Sequence, residues 1–193
     1  GMFDGEQIDA NSLDQLVITN GLRLRAKGKP TISGNLTANE YPFSLASGSI
    51  DFEYIKFTGF TDLISAGDGR GGSMPYNLSG DIDLIRLNNC DFDDCRRPLF
   101  LLTNPDSFLL SKLDLKSNTI NGKTGSTQYG WSGLFAGWSN LESATIRNNR
   151  IKNINATAAG FSGTTPVNVG NGLAIQLGGT FVTDANYTQS GWK

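Results

Sequence analysis

An eight-residue phrase that occurs three times constrains the fold of this chain more than any other feature. Its copies are Ile85–Phe92, Leu113–Ile120 and Ala144–Ile151, which begin 28 and 31 residues apart. In each copy, apolar and polar residues alternate over four positions, then come two small polar residues, a further polar residue and a final apolar one. Self-similarity at a period of about 20–50 residues indicates a stacked repeat, in which each unit buries its apolar face against the next.

The pattern within one copy predicts a strand, a sharp corner and a second strand. Period-two alternation places Ile85 and Leu87 on one face of a strand, and Phe92 returns to that face only if the chain turns at the polar pair. A third apolar phrase follows each copy, which gives three short strands per coil. These phrases are Pro98–Leu101, Gly133–Ala136 and Gly172–Ile175.

Looser matches extend the series. We align Leu22–Leu24 and Ile55–Phe57 with Ile85–Leu87, and Ile175–Leu177 with Ala144–Ile146. The chain is therefore predicted to be an all-β, parallel β-helix (solenoid) of about five or six coils. Its 24 glycines and its low content of charged residues, 18%, suit many short strands joined by turns.

The domain prediction is a single β-helix domain over residues 2–193. Solenoid ends expose unpaired strand edges over an apolar core and require caps. We expect residues 2–21 to cap the N-terminal end, with a short helical turn at Asn11–Leu16. The polar segment 180–193 is expected to be an irregular tail or a second cap.

The paired polar residues of the repeat are predicted to form a structural ladder at the corner. Stacking the coils places Asn89, Ser117 and Asn148 in one column and Cys90, Asn118 and Asn149 in the next. Asparagine tolerates the left-handed backbone conformation and bonds to turn backbone groups. We favour a small buried thiol at Cys90 over a Cys90–Cys95 disulfide.

The segment Ala144–Ile154 resembles the repeats of right-handed parallel β-helices of the pectate-lyase-like superfamily, and the likeness covers roughly residues 50–177. That superfamily includes polysaccharide lyases, glycoside hydrolases, phage tailspikes, adhesins and non-catalytic surface domains of Bacteroides-type bacteria. The resemblance implies a right-handed coil and an extracellular or cell-surface location, with any leader lying outside this sequence. It does not select one activity.

Three functions stay open. The leading hypothesis is a carbohydrate-binding or structural module without a catalytic set. The first alternative is a calcium-dependent lyase of an anionic polysaccharide, with Asp114, Lys116, Arg147 and Arg150 as candidate catalytic residues. The second alternative is a fragment of a phage tailspike. Candidate calcium ligands are the carboxylates Asp91, Asp93 and Asp94, although alternation places the first two on an outward surface where neighbouring coils can pair them.

The remaining features concern partners. Tyr129, Trp131 and Trp138 are candidates for stacking on a sugar ring. The chain lacks histidine, which excludes Ser-His-Asp triads and histidine bases within it. A net charge of −2 argues against nucleic acid as a partner, and no run of about 18 apolar residues predicts a membrane span.

Overall fold

The computed structural model of the protein describes residues 2–4, 7–9, 16–34, 42–60, 62–67, 78–95, 97–102, 108–121, 134–137, 141–152 and 175–177. In these ranges the regular structure is entirely β-strand. The described residues contain no helix that is long and apolar enough to cross a membrane.

The strands form three six-stranded parallel sheets. The first sheet contains β1 (Met2–Asp4), β4 (Gly21–Lys27), β7 (Gly48–Glu53), β10 (Ile82–Asn88), β13 (Leu110–Lys116) and β16 (Leu141–Arg147). The second contains β2 (Gln7–Asp9), β5 (Thr31–Ser33), β8 (Lys56–Thr58), β11 (Asp91–Asp93), β14 (Thr119–Asn121) and β17 (Arg150–Lys152). The third contains β3 (Leu16–Ile18), β6 (Phe43–Leu45), β9 (Asp62–Gly67), β12 (Arg97–Leu102), β15 (Leu134–Gly137) and β18 (Ile175–Leu177).

Consecutive strands belong to different sheets, and each strand pairs with the strand three places along the chain. This is a parallel β-solenoid in which every coil contributes one strand to each sheet. The described strands make six such coils, and the predicted fold class is confirmed. Three strands of the first coil lie within residues 2–21, and its β1 pairs with β4. Residues 11–15 of the expected helical turn, and the segment 180–193, lie outside the described residues.

The register of the three repeat copies is as predicted. Ile85 pairs with Leu113, and Leu113 pairs with Ala144. In the second sheet, Phe92 pairs with Ile120, which pairs with Ile151. The repeated phrase therefore marks equivalent positions of successive coils.

Two of the looser alignments are wrong. The partners of Ile85 and Leu87 in the preceding coil are Ile50 and Phe52, whereas Phe57 pairs with Phe92 in the second sheet. That coil has an apolar pair on each side of its corner, and it lacks the small polar pair of the three repeat copies. Similarly, Ile175–Leu177 pairs with Leu134–Ala136 in the third sheet rather than with the first sheet.

The core is filled by inward columns of aliphatic and aromatic side chains. The ring of Phe57 stacks on that of Phe92, with centroids 5.6 Å apart and an interplanar angle of 10°, and Phe52 packs on Phe57 at 5.5 Å. All three are completely buried. Burying a phenylalanine stabilises the fold by about 1.5–3 kcal/mol, and each aromatic pair adds about 0.5–1.5 kcal/mol.

Burial decreases in the last coil. Ala144 is exposed, and Ile146 and Ile151 are only partly buried, although alternation predicts that all three point inward. The reason is positional, because β16 and β17 are terminal strands of their sheets in the described part of the chain.

The turn between the first and second sheets, which we call the first corner, has one left-handed residue in each of four coils. These residues are Tyr54, Asn89, Ser117 and Asn148, with φ values of 58°, 53°, 55° and 57°. The backbone N–H groups of Tyr54, Asn89 and Ser117 each donate a hydrogen bond to a backbone carbonyl of the next coil, with N···O distances of 3.2, 3.0 and 3.1 Å. The left-handed backbone thus supplies a hydrogen bond between coils at each corner.

Candidate functional site

The predicted asparagine ladder is present beside the first corner. Asn118 is 1% exposed, and its Oδ1 accepts a hydrogen bond from the Cys90 backbone N–H at 2.9 Å. Its Nδ2 donates to the Leu87 carbonyl at 2.9 Å and to Asn149 Oδ1 at 3.0 Å. The Nδ2 of Asn149 in turn donates to the Leu115 carbonyl at 2.8 Å. The ladder satisfies backbone groups between coils, which is a structural role.

Both cysteines are free and buried. Cys90 occupies the ladder column, and its thiol lies 3.5 Å from the Phe52 carbonyl as a donor. Burial raises the pKa of Cys90 to about 11 and that of Cys95 to about 12. Neither thiol has the exposure or the thiolate character of a nucleophile.

The outward face of the first sheet has an ion-pair ladder that runs through four coils. Arg23 Nε and Arg86 Nη1 each lie 3.3 Å from Asp51 Oδ2. Arg86 Nε lies 3.3 Å from Asp114 Oδ2, and Lys116 Nζ lies 2.8 Å from Asp114 Oδ1. We use the name ion-pair ladder for these five residues. Positive and negative side chains alternate along the solenoid axis, so each carboxylate has two cationic neighbours.

Asp114 is the most enclosed member of this ladder. Its register places it on the outward face, yet the side chain is only 4% exposed. Burial opposes ionisation of its carboxyl group, but hydrogen bonds and charge from Lys116 and Arg86 outweigh burial and lower its pKa. Lys116 Nζ donates a hydrogen bond to Asp114 Oδ2. Asp114 Oδ1 lies within ion-pair distance of the same ammonium group but accepts no hydrogen bond from the described residues.

The four candidate catalytic residues do not converge on one point. Asp114 and Lys116 are bound to each other. Arg147 pairs in register with Lys116, but Arg150 pairs with Thr119 in the second sheet, beyond the corner. Arg147 and Arg150 are exposed and form no ion pair within the described ranges. Lys116, which would serve as the base of a lyase, has its ammonium group directed at a buried carboxylate.

Two of the three candidate calcium ligands are likewise paired. Asp91 Oδ1 lies 2.9 Å from Lys29 Nζ, and Asp93 Oδ2 lies 2.7 Å from Lys56 Nζ. The hydrogen bond to Asp93 raises the pKa of Lys56, against the effect of burial. Asp94 occupies a left-handed position with φ of 52°. No cluster of three or more metal-binding side chains occurs in the described ranges, and these carboxylates do not fit a calcium site.

The candidate sugar-stacking residues Tyr129, Trp131 and Trp138 lie outside the described residues. Sequence reasoning overlooked Tyr54, which is an exposed aromatic residue at the first corner with 44% exposure. The available signal was its position, since Tyr54 replaces the asparagine or serine that the other copies have there. The misaligned Ile55–Phe57 phrase concealed this equivalence.

The charge of the last two coils differs from that of the whole chain. Residues 108–121 and 141–152 contain five lysines and arginines and two carboxylates, although the net charge of the chain is −2. Three of these cations, Arg147, Arg150 and Lys152, lie exposed around one corner.

Comparisons with protein-family models, with curated proteins and with solved structures find no match to this chain.

Proposed function

We propose that the protein is a non-catalytic module of the pectate-lyase-like type that acts outside the cell or at its surface and binds an acidic polysaccharide. The observation that carries this proposal is the exposed cationic corner of the last coil, formed by Arg147, Arg150 and Lys152. Carboxylates of a glycan would supply the counter-charges that these side chains lack among the described residues. At the centre of the first sheet, by contrast, the cations of the ion-pair ladder are paired with Asp51 and Asp114.

The same pairing argues against catalysis. A lyase of this type requires an uncommitted base beside a substrate carboxylate, and a cation or metal to stabilise the developing negative charge. Lys116 and Asp114 are engaged with each other at 2.8 Å, and the aspartates of β11 are bound by lysines. The exposed cations of the last coil can bind an anion, and within the described ranges no carboxylate forms an ion pair with them.

Affinity electrophoresis through gels containing polygalacturonate tests the proposal. The wild-type protein should be retarded, and Arg147→Ser combined with Arg150→Ser should weaken binding about tenfold at low ionic strength, with smaller differences at high salt. The matched control is Lys27→Ser combined with Lys112→Ser. It removes the same charge from two exposed lysines in other coils, which form no ion pair within the described residues, and it should bind as the wild type does.

Two results would overturn the proposal. Equal retardation of both double variants would show that the cationic corner does not hold the glycan. Accumulation of unsaturated uronate products on incubation with polygalacturonate and calcium would show that the protein is a lyase.

A further inference from the structure

Two bulky residues adopt the left-handed conformation at the first corner, Lys29 with φ of 51° and Tyr54 with φ of 58°. The side chain of Lys29 forms an ion pair with Asp91, whereas Tyr54 stands where the next three coils have the small polar residues Asn89, Ser117 and Asn148. A left-handed conformation costs an ordinary L-residue about 1–2 kcal/mol, whereas asparagine tolerates it through local hydrogen bonds. A bulky residue at such a position is a genuine outlier and invites a functional explanation.

Core packing does not explain the tyrosine. Its side chain is 44% exposed, and in the described residues only Tyr54 and Leu16 are exposed among the large apolar side chains. The hydrogen bond that holds this corner comes from the Tyr54 backbone N–H to the Asn88 carbonyl, which any non-proline residue could supply. The ring is therefore dispensable for the coil and is presented to solvent.

The charged and polar side chains beside the Tyr54 ring, in its own coil and in the next one, already have partners. Glu53, which precedes Tyr54, pairs with Arg25 at 2.8 Å and accepts a hydrogen bond from Asn88 Nδ2 at 3.4 Å. Asn89, which occupies the same corner position in the next coil, donates to Asn88 Oδ1 at 3.2 Å. Each of these amides and carboxylates retains hydrogen-bonding capacity, while the charges are balanced.

We propose that Tyr54 is a stacking platform for a neutral pyranose ring of the bound glycan. An exposed aromatic face beside amide and carboxylate groups matches the apolar face and the hydroxyl edge of a sugar. The balanced charges around it favour a neutral sugar residue over a uronate. This inference rests on the proposed function and adds a second contact to it.

The two contacts lie along one edge of the solenoid. Tyr54 and Asn148 occupy the same corner, three coils apart, and Arg147 and Arg150 flank Asn148. At about 4.8 Å per coil this separation is about 14 Å along the axis. A heteropolysaccharide with neutral and acidic residues that follows this edge would reach both.

The test uses affinity electrophoresis in gels containing xanthan, which has neutral hexoses and glucuronate, with urea unfolding of the same variants. Tyr54→Phe keeps the ring and should bind as the wild type does. Tyr54→Asn introduces the residue found at Asn89 and Asn148, and should weaken binding about tenfold without a lower urea midpoint. Leu16→Asn removes another exposed apolar side chain, from the third sheet, and should leave binding unchanged.

The outcomes separate this inference from the proposed function. Retention of full xanthan binding by Tyr54→Asn overturns the platform, while loss of binding in the Arg147/Arg150 double variant would still support the cationic corner. A clear loss of stability in Tyr54→Asn overturns it as well, because the ring would then be structural. Tyrosine-dependent binding of a single-stranded oligonucleotide, with no binding of xanthan, would assign the platform to a different ligand.

Discussion

Replacing Asn118 with alanine should destabilise the protein far more than an average substitution. Its side chain makes three hydrogen bonds, of 2.9, 2.9 and 3.0 Å, at a site that is 1% exposed. Asn118→Ala removes the only side-chain acceptor of the Cys90 N–H and the donor to the Leu87 carbonyl, and water cannot replace them in the core. An orphaned buried polar group costs about 1–3 kcal/mol, so we expect a loss of about 2–4 kcal/mol.

Urea unfolding followed by circular dichroism measures this loss. With a slope of about 1–3 kcal/mol/M for a protein of this size, the midpoint should fall by roughly 1–2 M. Asn149→Ala is the matched control, because it removes the same ladder amide from the less buried last coil and should cost about half as much. A change below about 0.5 kcal/mol in Asn118→Ala would refute the assignment of the ladder as a source of stability.

Three further predictions follow from the structure. The carboxylate of Asp114, whose pKa is lowered in the folded protein, contributes stability that is complete above its ordinary pKa of 3.8 and is lost as the pH falls from 3.8 through the folded-state pKa. The urea midpoints of the wild type and Asp114→Asn should therefore differ by a constant amount near neutral pH and converge as the pH falls below 3.8. Gly48→Ala should cost about 2–4 kcal/mol by thermal unfolding, because the added Cβ would clash with the Asn20 carbonyl oxygen and the alanine would have to adopt a φ of 80°. Cys90 and Cys95 should resist a thiol reagent in the native protein and react fully in denaturant, since both are buried; rapid native labelling would contradict their placement.

The sequence predicted those parts of the fold that repeat. Period-two alternation predicted the inward positions of Ile85, Leu87 and Phe92, and the paired polar residues predicted the corner. Alignment failed where a coil departs from the phrase. The segment Ile50–Phe57 has Tyr54 at the corner and an apolar pair on each side of it. Both pairs match the first strand of the repeat equally well, and the sequence alone cannot choose between them.

The environment of the charged residues was less predictable. Alternation correctly predicted that Asp114 lies on the outward face of the sheet, but the prediction assumed that an outward side chain is exposed to solvent. Asp114 is buried because the side chain of Arg86, from the neighbouring coil, and that of Lys116, from its own strand, lie over it. This covering depends on the lengths of those side chains and on the register between two strands, so the sequence of one strand cannot reveal it. The exposed tyrosine was missed for the same reason, since its significance appears only when four coils are compared.

The ion-pair ladder offers a reason for charged residues on this face that does not involve catalysis. A slip of β13 by two residues against β10 keeps the inward and outward faces in phase, and it replaces only one of the apolar partners of Ile85 and Leu87, by Ser111 or Ser117. Burial alone therefore opposes such a slip only in part. Such a slip would place Arg86 opposite Lys112 or Lys116 instead of Asp114, which sets cation against cation and strands a buried carboxylate. Removing one partner from a buried ion pair costs about 3–5 kcal/mol, a large part of the stability of a single domain. Asp114 and Lys116, two of the four candidate catalytic residues, therefore help to specify the stacking of the coils, and the proposed ligand contacts are left to the cations of the last coil and the ring of Tyr54.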